Sequence, residues 1–219
     1  MLMEYLRQGL DVVKEEGLFG LIRKIGRLAF GNLFSFEELV MFELNLTDPI
    51  NEIMSELLIT IRLGSKHDIN SFSKETYDYD EKGKFYSLDR MNKGDKCFLA
   101  VSQGRIVGYL WLMYGEMELD KNRLHIVLPN EKAFVYKGFV IDEFRGKRIL
   151  YCIDQEIIKE LRREGKTAML TIVARDNRAS IKARERIGFK EIGKIIQIRV
   201  CGFEYDFISK GDLLRIQTA

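Results

Sequence analysis

The chain has 219 residues, of which 46% are apolar and 31% charged, and its formal net charge at pH 7 is +2. That length can bury a core for one domain with an extension, or for one and a half domains. The small net charge gives no strong global attraction to nucleic acid, and no run approaches the ~20 consecutive apolar residues that a membrane-spanning helix needs.

Residues 2–16 have helical spacing, with Leu2, Tyr5, Leu6, Leu10 and Val13 on one stripe. After Gly17 a second amphipathic helix is predicted, with Leu18, Leu21, Ile22, Ile25, Leu28 and Ala29 on one side and Arg23, Lys24 and Arg27 on the other. "FEELVMFELNL" (36–46) fits either element and is read as a strand, and "ELLITIRL" (56–63) as another. Polar, helical-looking sequence fills 65–92. "KCFLAVS" and "RIVGYLWLMYG" flank Gln103-Gly104 as a hairpin. A loop follows over 117–131, with a short strand at "LHIVL". "AFVYKGFVI" (133–141) reads as a strand, 147–164 as a helix stopped by Gly165, and "TAMLTIVA" (167–174) as a strand covered on both faces. A helix over 177–188 and a last hairpin, "KEIGKIIQIRV" and "FEYDFIS" around Cys201-Gly202, complete the chain. The strand–helix–strand unit implies a right-handed crossover between parallel strands. The fold class is therefore α+β, or mixed α/β: a mixed sheet flanked by helices, behind an N-terminal helical extension.

Few residues offer metal or redox chemistry. His67 and His125 are the only histidines, and Cys97, Cys152 and Cys201 show no metal-ligand spacing, so no metal is expected. Without a secretory signal the cysteines read as reduced thiols of a cytoplasmic protein. The turn "DEFRGKRIL" carries more information. It joins a strand to a helix, and ligands of such units collect at the carboxyl ends of the strands, where the helix N-terminus favours phosphate. Arg145, Lys147 and Arg148 surround a single glycine, Gly146. Read alone, the turn fits a phosphate site or a solvated basic turn equally well.

The order of elements resembles the GNAT superfamily of acyl-CoA-dependent N-acyltransferases. "DEFRGKRIL" is similar to its pyrophosphate loop, "ARDNRASIKARERIGFKEIG" to its asparagine–helix–"GF" segment, and "CFLAVSQGRIVGYLWL" to the preceding hairpin. The likeness covers about residues 50–210, within a domain drawn at 35–219 behind an extension at 1–34. It implies acetyl-CoA as co-substrate and direct attack of an amine on the thioester. It also implies that the main chain of Phe139, Val140 and Ile141 pairs with pantetheine, while Arg145, Gly146, Lys147, Arg148, Ile149 and Leu150 cradle the pyrophosphate. Arg148 and Leu150 stand where the family has small residues, which leaves two readings: Arg148 points outward to phosphate, or Leu150 crowds the cradle. Asn177 matches the family asparagine and equally suits a helix N-cap.

The family's proton-donating tyrosine corresponds to Arg184, a poor donor that is otherwise a solvated helix residue. Its strand glutamate corresponds to Tyr136, a water relay or a buried core tyrosine. Glu116, Glu118 and His125 are further base candidates. Tyr77, Asp78, Tyr79, Asp80 and Asp120 join them as candidates for an acidic acceptor pocket. The implied acceptor is a small-molecule amine or amino-sugar. The altered loop and missing tyrosine leave a coenzyme-binding module without transfer as the alternative. Residues 17–34 fit either peripheral contact with an anionic membrane or docking on the domain or on a second subunit, as in a homodimer.

Overall fold

The computed structural model describes residues 34–50, 54–76, 80–119, 124–200, 203–209 and 215–218. The helices read at 2–16 and 18–29, and with them the proposed extension, lie outside these residues. Strand β1 (Phe34–Asn45) and β2 (Thr60–Leu63) precede helices α1 (Lys66–Asn70) and α2 (Glu81–Asn92). Then come β3 (Lys96–Ser102), β4 (Arg105–Met113), β5 (Glu116–Leu119), β6 (Leu124–Val127) and β7 (Lys132–Val140). A 3-10 turn (Asp142–Phe144) leads to α3 (Ile149–Arg163), β8 (Ala168–Ala174) and α4 (Arg178–Ile187). Strands β9 (Lys190–Val200), β10 (Phe203–Ser209) and β11 (Arg215–Thr218) end the described chain.

Among the described residues eight strands form one sheet in the order β10-β9-β1-β8-β7-β4-β3-β2, and β11-β6-β5 form a small second sheet. Among the described residues the only parallel pair is β7 with β8, bridged by α3, as the strand–helix–strand pattern requires. Strand β4 shows why its sequence is almost continuously apolar: Leu110 and Leu112 face a cluster under α3, while Tyr109, Trp111 and Met113 face one under α1 and α2. The turn before it holds Gln103 and Gly104 both at positive φ, the conformation that a two-residue hairpin demands.

Several expectations shift. The predicted strand 56–63 shortens to 60–63, because Leu57 and Ile59 leave the sheet to pack against the α3 cluster. The helical stretch 65–92 divides into two capped helices, started by Ser65 and Asp80. Strand β11 was not anticipated. The N-terminal strand β1 lies inside the sheet, antiparallel to β8 on one side and β9 on the other.

Candidate functional site

Strands β7 and β8 hold together only over Lys132–Phe134 and Ala168–Leu170. Beyond that point each keeps its outer neighbour and they part. Strand β7 stays on β4 as far as Val140, and β8 stays on β1 as far as Ala174. The divergence is reinforced by a bulge, where the β4–β7 register slips between Tyr109 and Trp111 and Lys137 takes φ +50°. A wedge-shaped gap opens between the carboxyl halves of β7 and β8, and the start of α3 stands at its mouth.

Of the three residues expected to offer main chain to this gap, one does. The Ile141 N–H donates to the Val107 carbonyl (3.0 Å) and the Ile141 carbonyl accepts from Phe144 N–H (2.8 Å), so Ile141 is corrected out of the set. The Phe139 carbonyl lies against Gly108 on β4, where a side chain would come within 2.9 Å of it, so it too faces away. Alternation then turns the Val140 main chain toward β8. Its carbonyl accepts from Arg145 Nε (3.3 Å).

The turn into α3 keeps the backbone of a glycine-rich loop with one glycine. Gly146 has φ +77°, and Arg148, the N-cap of α3, has φ +64° and ψ +19°. Arg148 therefore adopts the left-handed conformation in which a non-glycine residue costs roughly 1–2 kcal/mol. Its side chain points outward, 3.9 Å from Glu56, and supplies no capping bond. Ser65, Asp80 and Asn177 cap α1, α2 and α4 by side chain, whereas the first turn of α3 has no such cap and offers its N–H groups and positive dipole end to an anion.

Two of the three basic residues of the loop, Arg145 and Arg148, have acidic neighbours. Arg145 pairs with Asp142 (2.7 Å), and Lys147 Nζ lies 5.4 Å from the centre of the Phe144 ring. The Lys147 carbonyl is held by the Ser55 hydroxyl (2.9 Å), so the segment before β2 straps the loop down. Ile149 is buried against Gly108 and Val140. Leu150 packs beside the exposed Gly138, 3.5 Å from where a Cβ of that residue would stand. Arg148 thus points outward, toward Glu56, while Leu150 packs on the strand before the loop.

Across the gap, Asn177 follows β8 and its side chain accepts from Ser180 N–H (3.1 Å), as an N-cap does. Arg184 departs from expectation. It is buried, not solvated, and its Nη1 reaches both carboxylate oxygens of Asp154 at 2.6 Å while its guanidinium lies over Phe189. Burial pushes the Asp154 carboxyl up, and Arg184 opposes that shift. One sequence signal could have found the pair: Asp154 interrupts the apolar stripe of α3, and a charge there requires a partner.

Tyr136 is buried on the opposite face. Its hydroxyl donates to Asp95 (2.5 Å) and accepts from Arg90 Nε (3.2 Å), and the same arginine pairs with Asp95 (2.6 Å). Burial, then Asp95, drives its ionisation far above the ordinary phenol range. An aromatic wall of Phe72, Tyr109 and Phe139 runs beside it, with ring centres 5.4 and 5.6 Å apart. Glu116 and His125 sit in the small sheet, 3.5 Å from one another. Asp80 caps α2; residues 77–79 and 120, and the side chain of Glu118, lie outside the description. Among the described residues no group of three His, Cys, Asp or Glu could hold a metal ion, and no helix is long and apolar enough to cross a membrane.

The family model described as Acetyltransferase (GNAT) family matches residues 63–189. No protein of curated function matches the chain. Among solved structures, an acetyltransferase of the GNAT family from Colwellia psychrerythraea is 16% identical with a TM-score of 0.57, over 76% of this chain and 57% of its own. A GCN5-related N-acetyltransferase from Sphaerobacter thermophilus is 14% identical with a TM-score of 0.53, over 88% of this chain and 58% of its own. The chain thus spans a little over half the length of these two structures, and at such identities they speak to the fold.

Proposed function

Because the chain belongs to the acetyltransferase (GNAT) family, we propose that it transfers an acyl group, most simply acetyl, from acyl-CoA to the amine of a small molecule or amino-sugar. The supporting observation is the gap between β7 and β8 closed by a helix start that no side chain caps. In this reading the pyrophosphate meets the first-turn N–H groups of Ile149 and Leu150, with Gly146 giving the turn its left-handed φ. Arg145, Lys147 and Arg148 supply charge, and Asn177 holds the start of α4 on the far side. The Val140 main chain pairs with pantetheine, and its N–H polarises the thioester carbonyl. The amine attacks that carbon, its proton leaves to water, and CoA departs as thiolate or thiol. Holding amine and thioester in line supplies much of the rate enhancement.

Tyr136 and Arg184 act as positioning residues in this scheme. The phenol proton of Tyr136 is committed to Asp95, and Arg184 is committed to Asp154. We expect Tyr136→Phe to lower kcat by less than about tenfold, whereas loss of a general base costs roughly 10²–10⁴-fold. Single-turnover kinetics with a reactive amine measures the difference.

The first test is calorimetric titration of CoA and acetyl-CoA into the protein and into Arg145→Ala. Micromolar binding weakened by about tenfold in the variant, the size of one charge-assisted hydrogen bond, supports the loop assignment. No binding at millimolar coenzyme sinks it. The second reading, a module that binds coenzyme without transfer, is favoured by Leu150 against Gly138. It prevails if binding is intact and no amine of a broad panel is acylated.

A further inference from the structure

Beyond the cluster under α3 the sheet carries an apolar face with exposed aromatic side chains. On β1, the cluster under α3 and α4 reaches Val40. Cross-strand register puts Phe36, Ile198 and Tyr205 in one row, and Glu38, Ile196 and Phe207 in the next, so these side chains share that face. Tyr205 is 53% exposed and Phe207 57%, and Val200 at the end of β9 is exposed as well. On the side toward α4 the patch stops at an ion cluster in which Glu38 meets Arg175 (3.1 Å) and Lys194 (3.5 Å). A contiguous apolar surface on a strand pair at the sheet edge marks a contact site.

We propose that this face docks the chain's own N-terminal segment, residues 17–33, through the apolar stripe of Leu18, Leu21, Ile22, Ile25 and Leu28. The segment ends where the patch begins, since Phe34 opens β1 and its cross-strand partner is Val200. Gly31 and Asn32, just before that strand, are residue types that let a chain reverse onto the sheet. The widths agree, and the helix would overhang the patch at one end. A helix over 17–29 would be about 20 Å long and roughly 10–12 Å across. The patch extends about 13 Å along β9 and about 10 Å across β1, β9 and β10. Arg23, Lys24 and Arg27, opposite the stripe, would face solvent.

Oxidation of full-length protein carrying Ile25→Cys and Tyr205→Cys, read by peptide mapping, tests the assignment. A bond between positions 25 and 205 within a monomer is the expected result, together with its loss when Arg23→Cys replaces Ile25→Cys. A bond joining two chains, no bond, or equal bonding from position 23 overturns the proposal. Phe207→Asp in the full chain is the second variant. It should speed tryptic cleavage at Arg23, Lys24 and Arg27 several-fold, and an unchanged rate counts against docking. Sedimentation of the unsubstituted chain with phosphatidylglycerol vesicles would assign the stripe to a membrane instead.

Discussion

At the scale of single residues, Arg148 and Arg184 are held in place by different physical means. Arg148 reproduces the backbone of a glycine and bears the strain of doing so. Arg148→Gly should raise stability by about 0.5–1 kcal/mol net of the glycine's added unfolded-state freedom, seen as a higher urea midpoint with unchanged slope. Because the loop N–H groups carry most of the binding in the proposed site and Arg148 adds charge only from outside, affinity for CoA should fall less in that variant than in Arg145→Ala. Asp142→Asn, which frees Arg145 from its neighbour, should tighten CoA binding in the same titration. Arg184 is a different case, because removing it leaves Asp154 buried and unpaired. Arg184→Ala should cost about 3–5 kcal/mol, whereas Arg184→Met combined with Asp154→Leu should lie near the parent in urea unfolding. A double variant as unstable as the single one would mean that the ion pair is not what holds α4 to α3.

At the scale of elements, β1 decides the fold. The family match begins at residue 63, yet Leu39, Val40, Met41, Phe42 and Leu44 of β1 are all buried between β8 and β9. Five such side chains at about 1.5–3 kcal/mol each together are of the size of a typical total stability, about 5–15 kcal/mol. A chain starting at Thr47 should therefore show no cooperative transition by circular dichroism, despite containing every matched residue. Periodicity and turn chemistry made most strands and both longer C-terminal helices legible, along with the loop that enters α3. Pairing order was not legible, since nothing local in "FEELVMFELNL" says which strands it joins. The bulge at Lys137 escaped because a lysine at positive φ leaves no glycine signal. Phe139, Val140 and Ile141 were grouped as one surface, whereas the main chain of consecutive strand residues turns alternately to opposite neighbours. The partners of Tyr136 and Arg184 come from other elements, and only Asp154 betrayed itself by its place in an apolar stripe.

At the scale of the whole molecule, two phenols fasten helices to opposite faces of the sheet. Tyr136 donates to Asp95 beside the end of α2, and Tyr114 donates to Glu164 at the end of α3 (2.8 Å). Burial, helped by the paired carboxylate, raises both above the ordinary value of 10.0. A phenol so raised contributes stability that is fully present below about pH 10 and is lost as pH climbs toward the folded-state value. Ultraviolet titration should show these two tyrosines ionising only as the protein unfolds, and Tyr136→Phe should remove part of the alkaline slope. The interior position of β1 has a further consequence during biosynthesis. Its partners β8 and β9 emerge from the ribosome on the order of ten seconds after it at ordinary elongation rates. Until Ala168 and the residues beyond it appear, "LVMFEL" has neither neighbour and both its edges are open. The nascent chain is then a client for holding chaperones, and slowing elongation between β1 and β8 should lengthen that dependence.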